Sequence, residues 1–506
     1  MGPRAPLAGG ARPGALARAR ARLRPRRARP HRPGARAGRA VLPVRPRGGA
    51  VPGGGGDRRG GAAIARRRPV RGRRAPRRRA LAAHRLRSRD PRRGGAAGAG
   101  ARRLGPGRAG PRRGGPGGLV SAVAIIGTGQ TRHASRRDDV SQPELVREAA
   151  EAALADAAVG PDEVDAVLLA NMELFEGRAL PELWAGAGAF AAGKPCMKVA
   201  TGGTSGTSGC IAAFHQVAAG LFDLVLVVGF EKHSEGHSQT GMALTDPFWD
   251  RAVASGALGN FALSISQYVA ERGATAEQAA LVAVKARRNA ARNPHAHLRM
   301  GDLTVEEVLS SRMLADPVRL LDMCPQSDGA CAIVVASAAA ARRRSRRPAW
   351  VLAAETRHEQ PYIGDIDRRL VTMRTLRDAA RVAYRRAGIG DPLTDLDVAE
   401  IYEPVSYAEL AWYEALGFCA DGDAGRLVEE GVTGMEGELP VNPSGGVLSS
   451  NPVGASGVIR VAEAALQIHG RGGERQVEGA RLALATGYGV YAWADAVVLG
   501  AEAGAA

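Results

Sequence analysis

The sequence predicts a duplicated α/β fold: two halves of the same βαβ-type order, preceded by a long segment that builds no core. Three observations predict it. The order strand, helix, turn, strand occurs twice along the chain. Each occurrence is followed by a loop of small residues that runs into an apolar helix. The charge of the 506-residue chain is divided sharply between its first 119 residues and the rest.

The charge division comes first because it decides what is to be folded. The formal net charge is +20, yet residues 1–119 hold 35 Arg, no Lys and only two acids, Asp57 and Asp90. The remainder carries 35 basic and 48 acidic residues, a net of −13. A nucleic-acid function inferred from the whole-chain charge therefore fails, because the charge belongs to one segment. That segment is Arg, Gly, Pro and Ala with no aromatic residue. It cannot bury enough apolar surface to offset its ordering entropy, and it is expected to be disordered. Three readings compete for it. A nucleic-acid tail lacks aromatics to stack on bases. A targeting segment would need an apolar core or an amphipathic, Ser-bearing pattern. The preferred expectation is a start codon placed too far upstream in a GC-rich gene, with Val120 fitting a GTG start.

From Val123 the elements follow in order. Val123–Gly127 reads as a strand, Glu144–Ala157 as a helix, Gly160 and Asp162 as a turn, and Val164–Ala170 as a strand. Thr201–Gly209 (TGGTSGTSG) is a small-residue loop leading into an apolar helix, Cys210–Gly220, and then a strand, Leu224–Gly229. The seam is Ala341–Arg347 (ARRRSRR), a basic, solvated linker before Pro348. The second half repeats the order: strand Trp350–Ala354, helix Leu376–Ala387, strand Val398–Tyr402. Its loop, Val441–Gly457 (VNPSGGVLSSNPVGASG), runs into the helix Val458–Ile468 and stops at Gly470. Apolar residues at helical spacing and glycines at the helix ends support these assignments. The folded halves are thus 120–347 and 348–506. Loops that lead into helices present backbone N–H groups where negative charge is favoured, so both loops are candidate sites.

The five cysteines, Cys196, Cys210, Cys324, Cys331 and Cys419, form no CxxC. His233 and His237 have HxxxH spacing without a cysteine pair, so no metal is expected. The odd count and the lack of a secretory signal suggest a reducing cytoplasm. The longest apolar run, around Leu224–Phe230, is too short to span a bilayer, and no membrane association is expected.

At this point the residues carry a resemblance. The repeated half, the small-residue loop before an Ala-rich helix, and the strand end Gly229-Phe230-Glu231-Lys232 resemble a thiolase. So do Arg288–Pro294 (RNAARNP), Ser327–Ser337 (SDGACAIVVAS) and Asn442–Gly446 (NPSGG). Within that superfamily the chain is most similar to the sterol-carrier-protein-type thiolases and their lipid-transfer relatives. The resemblance implies a thiolase-like fold in five layers, α/β/α/β/α, and at least a dimer. It implies acyl-CoA substrates, with coenzyme A arriving as part of the substrate and no resident cofactor. Gly445 and Gly446 of the NPSGG stretch are the candidate residues against the coenzyme. In this branch a small protein with a zinc ribbon and an OB fold is the usual partner, so a homodimer or such a heterocomplex is expected.

The chain departs from the family where the chemistry sits. Ordinary members place a nucleophilic Cys three residues before a Gly at the helix start. The repeated GTSG allows two registers, which put that position at Gly203 or at Gly206. Either way it is a glycine with nothing to acylate, although its backbone N–H remains a donor for an oxyanion. Ser205, Thr207, Ser208 and Cys210 lie near; of these, Ser208 and Cys210 are the candidates for a displaced nucleophile, and the plainer reading of Cys210 is a buried helix residue. The family's Gly-His-Pro reads Ser450-Asn451-Pro452, and Asn451 can donate a hydrogen bond but is no base. A third loop reads Ile401-Tyr402-Glu403-Pro404, in which Tyr402 and Glu403 are candidates for proton transfer if their environments perturb them. A tyrosine at this point resembles the thiolase-like aldolases of steroid side-chain breakdown, in part only. Tyr488 and Tyr491 sit in a late loop without the second cysteine that many members keep. His233 and His237 are the nearest histidines for a base, expected in a surface or lid loop.

A thiolase without thiolate or histidine points to C–C bond cleavage or formation of the retro-aldol type, using an oxyanion hole and a Tyr or Glu proton-transfer group. Two alternatives stand beside it: acyl transfer through a displaced nucleophile, and a non-catalytic acyl-CoA-binding scaffold for a partner protein.

Overall fold

The computed structural model describes residues 121–504 except 178, 238–255, 360–368 and 490–492. Residues 1–119 and Tyr491 lie outside the described residues. The main elements are β1 (Val123–Gln130), α1 (Gln142–Asp156), β2 (Ala166–Ala170), α2 (Glu182–Gly188), β3 (Cys196–Val199), α3 (Ser205–Ala218) and β4 (Leu224–Lys232). They continue with α4 (Gly256–Arg272), α5 (Ala276–Ala291), β5 (Asp328–Ser337), α6 (Ala338–Arg344), β6 (Ala349–His358) and α7 (Arg374–Ala387). The chain then runs through β7 (Val398–Glu400), α8 (Ser406–Ala415), α9 (Gly446–Ser449), α10 (Val453–His469), β8 (Leu482–Gly489) and β9 (Trp493–Gly500).

The nine strands lie in the order β3-β2-β4-β5-β1-β6-β9-β8-β7. This order contains the duplication. In the first half β1 pairs antiparallel with β5, β5 antiparallel with β4, and β4 parallel with β2. In the second half β6 pairs antiparallel with β9, β9 antiparallel with β8, and β8 parallel with β7. The parallel neighbour β3 of the first half is matched in the second by a single parallel bridge, Ala399 to Val441. The halves join through a short antiparallel contact, Ala124 with Trp350 and Ile125 with Ala349.

Strand patterning explains the layers. Successive side chains point to opposite faces of a strand. Val123, Ile125, Leu168, Val225, Val227, Ala483, Ala485 and Val497 enter one core together with α3 and α10. Their neighbours Ala124, Ile126, Val167, Leu169, Leu224 and Leu226 pack with α1 in a second core. Leu484 and Val498 pack with α7 and α8 in a third. Both faces of each half-sheet are therefore buried, which is why these strands read as continuous apolar runs. The result is the expected α/β/α/β/α arrangement, with α3 and α10 as the shared middle layer.

Several strands run three or four residues beyond expectation, to Gln130, Lys232 and His358, and two helix starts differ. Helix α3 begins at Ser205, not Cys210, and α10 begins at Val453, not Val458. The small residues have the composition of a loop but are helical, because two helices must pass closely there. A Cβ on Gly206 would lie 2.5 Å from the Val458 backbone N and 2.9 Å from the Gly457 Cα. The seam is also partly helical: α6 ends at Arg344, and Arg342, Arg343, Arg346 and Arg347 are exposed around the turn into Pro348.

Candidate functional site

The close crossing of α3 and α10 brings both helix starts, and the two small-residue loops, to one place. Gly203 lies just before α3, whose N-cap is Thr204. Asn451 lies just before α10, whose N-cap is Pro452. Tyr402 follows β7, and its backbone N–H donates to Thr486 Oγ1 on β8 at 2.9 Å.

Tyr402 and Gly203 meet directly. A Cβ built on Gly203 would stand 2.9 Å from the Tyr402 hydroxyl oxygen and would overlap the Tyr488 carbonyl oxygen. The phenol thus stands in the space a nucleophile side chain at 203 would need. Tyr402 is buried, and burial raises its pKa above the usual phenol value. The neighbouring Cys324 thiol raises it further, while the Ser456 hydroxyl pulls it down. At neutral pH the group is a neutral phenol and therefore a proton donor.

Asn451 is oriented from three sides. Its Oδ1 accepts from Ser456 Oγ at 2.8 Å, its backbone N–H donates to Ser327 Oγ at 3.1 Å, and its Nδ2 donates to Cys324 Sγ at 3.2 Å. Cys324 is one residue of this cluster that the sequence reading did not single out. It is half-buried, and its backbone N–H donates to the Pro404 carbonyl at 3.0 Å, which holds it beside the Tyr402 loop. Burial pushes its thiol up to about 11, and the Asn451 amide opposes that shift. The available signal was position: Cys324 lies three residues before the SDGACAIVVAS stretch. His297 was missed in the same way, three residues beyond Pro294, where the RNAARNP motif ends. Its Nδ1 is 2.9 Å from Ser327 Oγ, so it reaches the Asn451 backbone through one hydroxyl. Burial and the Arg287 charge lower its pKa, leaving a neutral imidazole.

Arg287 on α5 fixes the floor. It is buried and donates to the Leu448 carbonyl, to Ser449 Oγ at 3.3 Å and to the Met323 carbonyl at 3.3 Å. It thereby ties the α9 turn to the residue before Cys324.

The other candidates stand elsewhere. Gly206 is a helix-crossing residue, so Gly203 is the position that faces the site. Cys210 is fully buried within α3, and burial together with the Asp495 carboxylate raises its thiol pKa, so it is neither exposed nor ionised. Ser208 Oγ donates to Asp495 at 2.8 Å, and Thr207 Oγ1 donates to the same oxygen at 2.6 Å. Glu403 is buried under α9, accepting from the Leu448 N–H at 3.1 Å. Burial and the nearby Glu409 carboxylate push it up to about 8. His233 is not in a lid: it is buried, stacked on Phe175 with ring centroids 4.2 Å apart, and burial pushes it down to about 3. His237 is exposed. Gly445 and Gly446 have φ of 94° and 65° and are buried. A Cβ on Gly445 would lie 2.5 Å from the Ala290 Cβ, and one on Gly446 would overlap the Glu403 carboxylate. They are turn glycines pressed on protein. Tyr488 is buried against Trp412, with centroids 4.5 Å apart.

Among the described residues no group of three or more His, Cys, Asp or Glu is placed to hold a metal ion, and no helix is long and apolar enough to cross a membrane.

Comparison with known proteins agrees with this fold. The family described as thiolase, N-terminal domain matches residues 123–339, and thiolase C-terminal domain-like matches 358–501. An acetyl-CoA acetyltransferase of Methanothermobacter thermautotrophicus is 34% identical over 372 residues, covering 72% of this chain and 94% of that protein. Sterol carrier protein 2 of Bos taurus is 29% identical over 390 residues, 74% of this chain and 71% of that one. Among solved structures, an Ltp2-ChsH2(DUF35) aldolase superposes with a TM-score of 0.64 at 26% identity, covering 76% of this chain and 98% of that chain. The chain belongs to the thiolase superfamily, in its sterol-carrier-protein-type branch.

Proposed function

We propose that this protein acts on acyl-CoA thioesters and breaks or forms a C–C bond by retro-aldol chemistry, without a cysteine acyl-enzyme. The observation that carries this reading is the contact between Tyr402 and Gly203, in which a phenol takes the space of the nucleophile. In the bond-forming direction an acyl-CoA enolate carbon attacks a carbonyl carbon, and Tyr402 gives its proton to the alkoxide formed. In cleavage the phenolate form of Tyr402 takes the β-hydroxyl proton, the Cα–Cβ electron pair passes to the thioester enolate, the enolate carbon takes a proton from water, and the hydroxide left behind takes the phenol proton to restore the phenolate. Asn451 Nδ2 and the Gly203 N–H are the donors for the thioester oxyanion. Preorganised donors of this kind supply the largest share of stabilisation in such sites. A phenol pKa raised toward that of an alkoxide matches donor to acceptor, as efficient proton transfer requires. The name of the structural neighbour, an aldolase, is in keeping with this chemistry.

The second reading is acyl transfer through a displaced thiol. Cys324 favours it by position, half-buried beside Asn451, but a thiol pushed up to about 11 supplies little thiolate at neutral pH.

The assembly is proposed to be a homodimer or a complex with a partner like the one in the aldolase's name. Strand β3 is a sheet edge whose residues are exposed or half-buried, and Leu183, Trp184 and Met197 stand exposed on α2 and β3. An unpaired edge with apolar neighbours is a surface that natural proteins cover.

The test is intact-mass spectrometry after mixing with acyl-CoA and 3-oxoacyl-CoA thioesters, alongside a cleavage assay on 3-hydroxyacyl-CoA thioesters. Cleavage without an adduct, lost in Tyr402→Phe, is expected. A stable acyl adduct on Cys324, or full activity in Tyr402→Phe, sinks the reading.

A further inference from the structure

A side-chain amide presents an oxygen that only accepts and a nitrogen that only donates, and rotation by half a turn exchanges them. The Ser456 hydroxyl has one proton and two acceptors in reach, Asn451 Oδ1 at 2.8 Å and the Pro452 carbonyl at 3.2 Å, and the shorter contact takes it. The amide nitrogen of Asn451 is left facing Cys324 Sγ at 3.2 Å. The chain runs one way, from Ser456 to Asn451 to Cys324.

We propose that Ser456 is a positioning residue that fixes the Asn451 amide with its nitrogen toward the site. Ser456 is suited to this. It lies in the first turn of α10, is buried, and its Oγ is also 3.2 Å from the Pro452 carbonyl one turn back, which restricts its rotamer. Without its hydroxyl nothing on the Oδ1 side distinguishes the two amide orientations. A flipped amide turns an acceptor toward the site and repels a developing oxyanion. The catalytic half of this inference rests on the retro-aldol reading; the orientation of Asn451 does not.

The experiment therefore has two arms, both on the full chain. The first needs no substrate. Iodoacetamide alkylation of Cys324 is followed by peptide mass mapping between pH 7 and 10 in wild type, Ser456→Ala, Ser456→Thr and Ser456→Cys. Asn451 Nδ2 favours the Cys324 thiolate, so Ser456→Ala is expected to slow alkylation at pH 9 by about three- to tenfold, the scale of one oriented hydrogen bond. Ser456→Thr restores the rate because it keeps the hydroxyl. Ser456→Cys, a weak donor of similar size, falls between and serves if the alanine variant misfolds. Alkylation in both Ala and Cys variants at the wild-type rate overturns the proposal. The second arm measures cleavage of a 3-hydroxyacyl-CoA thioester. A fall in kcat with KM held, rescued by Thr, is expected, and an unchanged kcat in Ser456→Ala overturns the catalytic role of that orientation. If wild type cleaves no thioester in the panel, the retro-aldol reading and that catalytic role both fall, and the alkylation arm alone judges the orientation.

Discussion

Asp495 offers a pH dependence whose size follows from its surroundings. Its carboxylate, on β9, accepts from Thr207 Oγ1 at 2.6 Å and Ser208 Oγ at 2.8 Å. It thus clamps the first turn of α3, just below Gly203. Burial pushes the group up from 3.8 to about 6, against the pull of Thr207, Thr356 and Ser208. The sign follows from linkage. Between these two values the unfolded chain has released the proton while the folded protein still holds it. The stability contribution is complete below about pH 4 and is lost as pH rises through about 6. A shift of this size corresponds to about 3 kcal/mol in all, and about 1.4 kcal/mol of it falls between pH 5 and pH 7.5. Asp495→Asn keeps an oxygen for both hydroxyls and removes the titration. Urea unfolding of wild type and variant at pH 5 and pH 7.5 is the assay. The difference, wild type minus variant, should move by about 1.4 kcal/mol against the wild type at the higher pH. A difference that stays constant across that range refutes the assignment of the buried proton to Asp495.

The remaining predictions concern the site and its frame. Tyr402→Phe should cost little stability, about 0.5–1.5 kcal/mol for one hydrogen bond, while lowering C–C cleavage by about 10²–10⁴-fold; equal losses in both would make Tyr402 a packing residue. Gly206→Ala should destabilise by about 1–3 kcal/mol or more by forcing α3 and α10 apart, since its Cβ meets backbone rather than a movable side chain. Thermal unfolding at the wild-type midpoint would contradict that. Alkylation of the native protein should reach exposed Cys196 before half-buried Cys324, and should reach buried Cys210 and Cys331 only after unfolding. Early labelling of Cys210 would reopen its role as a nucleophile.

Much of this protein is legible in the chain alone. Apolar runs bounded by glycines mark the strands, and the recurrence of one element order marks the duplication, because strand and helix periodicity are local properties of the chain. The loss of the nucleophile and the histidine is also legible, since a glycine and an asparagine announce what chemistry is missing. The helix starts are not legible. Ser205–Gly209 and Val453–Gly457 look like loop by composition, and only the opposing helix makes their smallness a packing requirement. Nor can spacing decide between Gly203 and Gly206. That takes the third dimension: Gly206 faces α10, and Gly203 faces a phenol about 200 positions away in sequence. Cys324 and Ser456 stay hidden for the same reason. Cys324 carries no motif and acquires meaning only from Asn451 and the Tyr402 loop, which distant parts of the chain bring to it, and Ser456 is one small residue among many until its hydroxyl is placed on the Asn451 amide. Periodicity reports which face of an element is buried; which distant side chains share a hydrogen bond is decided by how the layers stack.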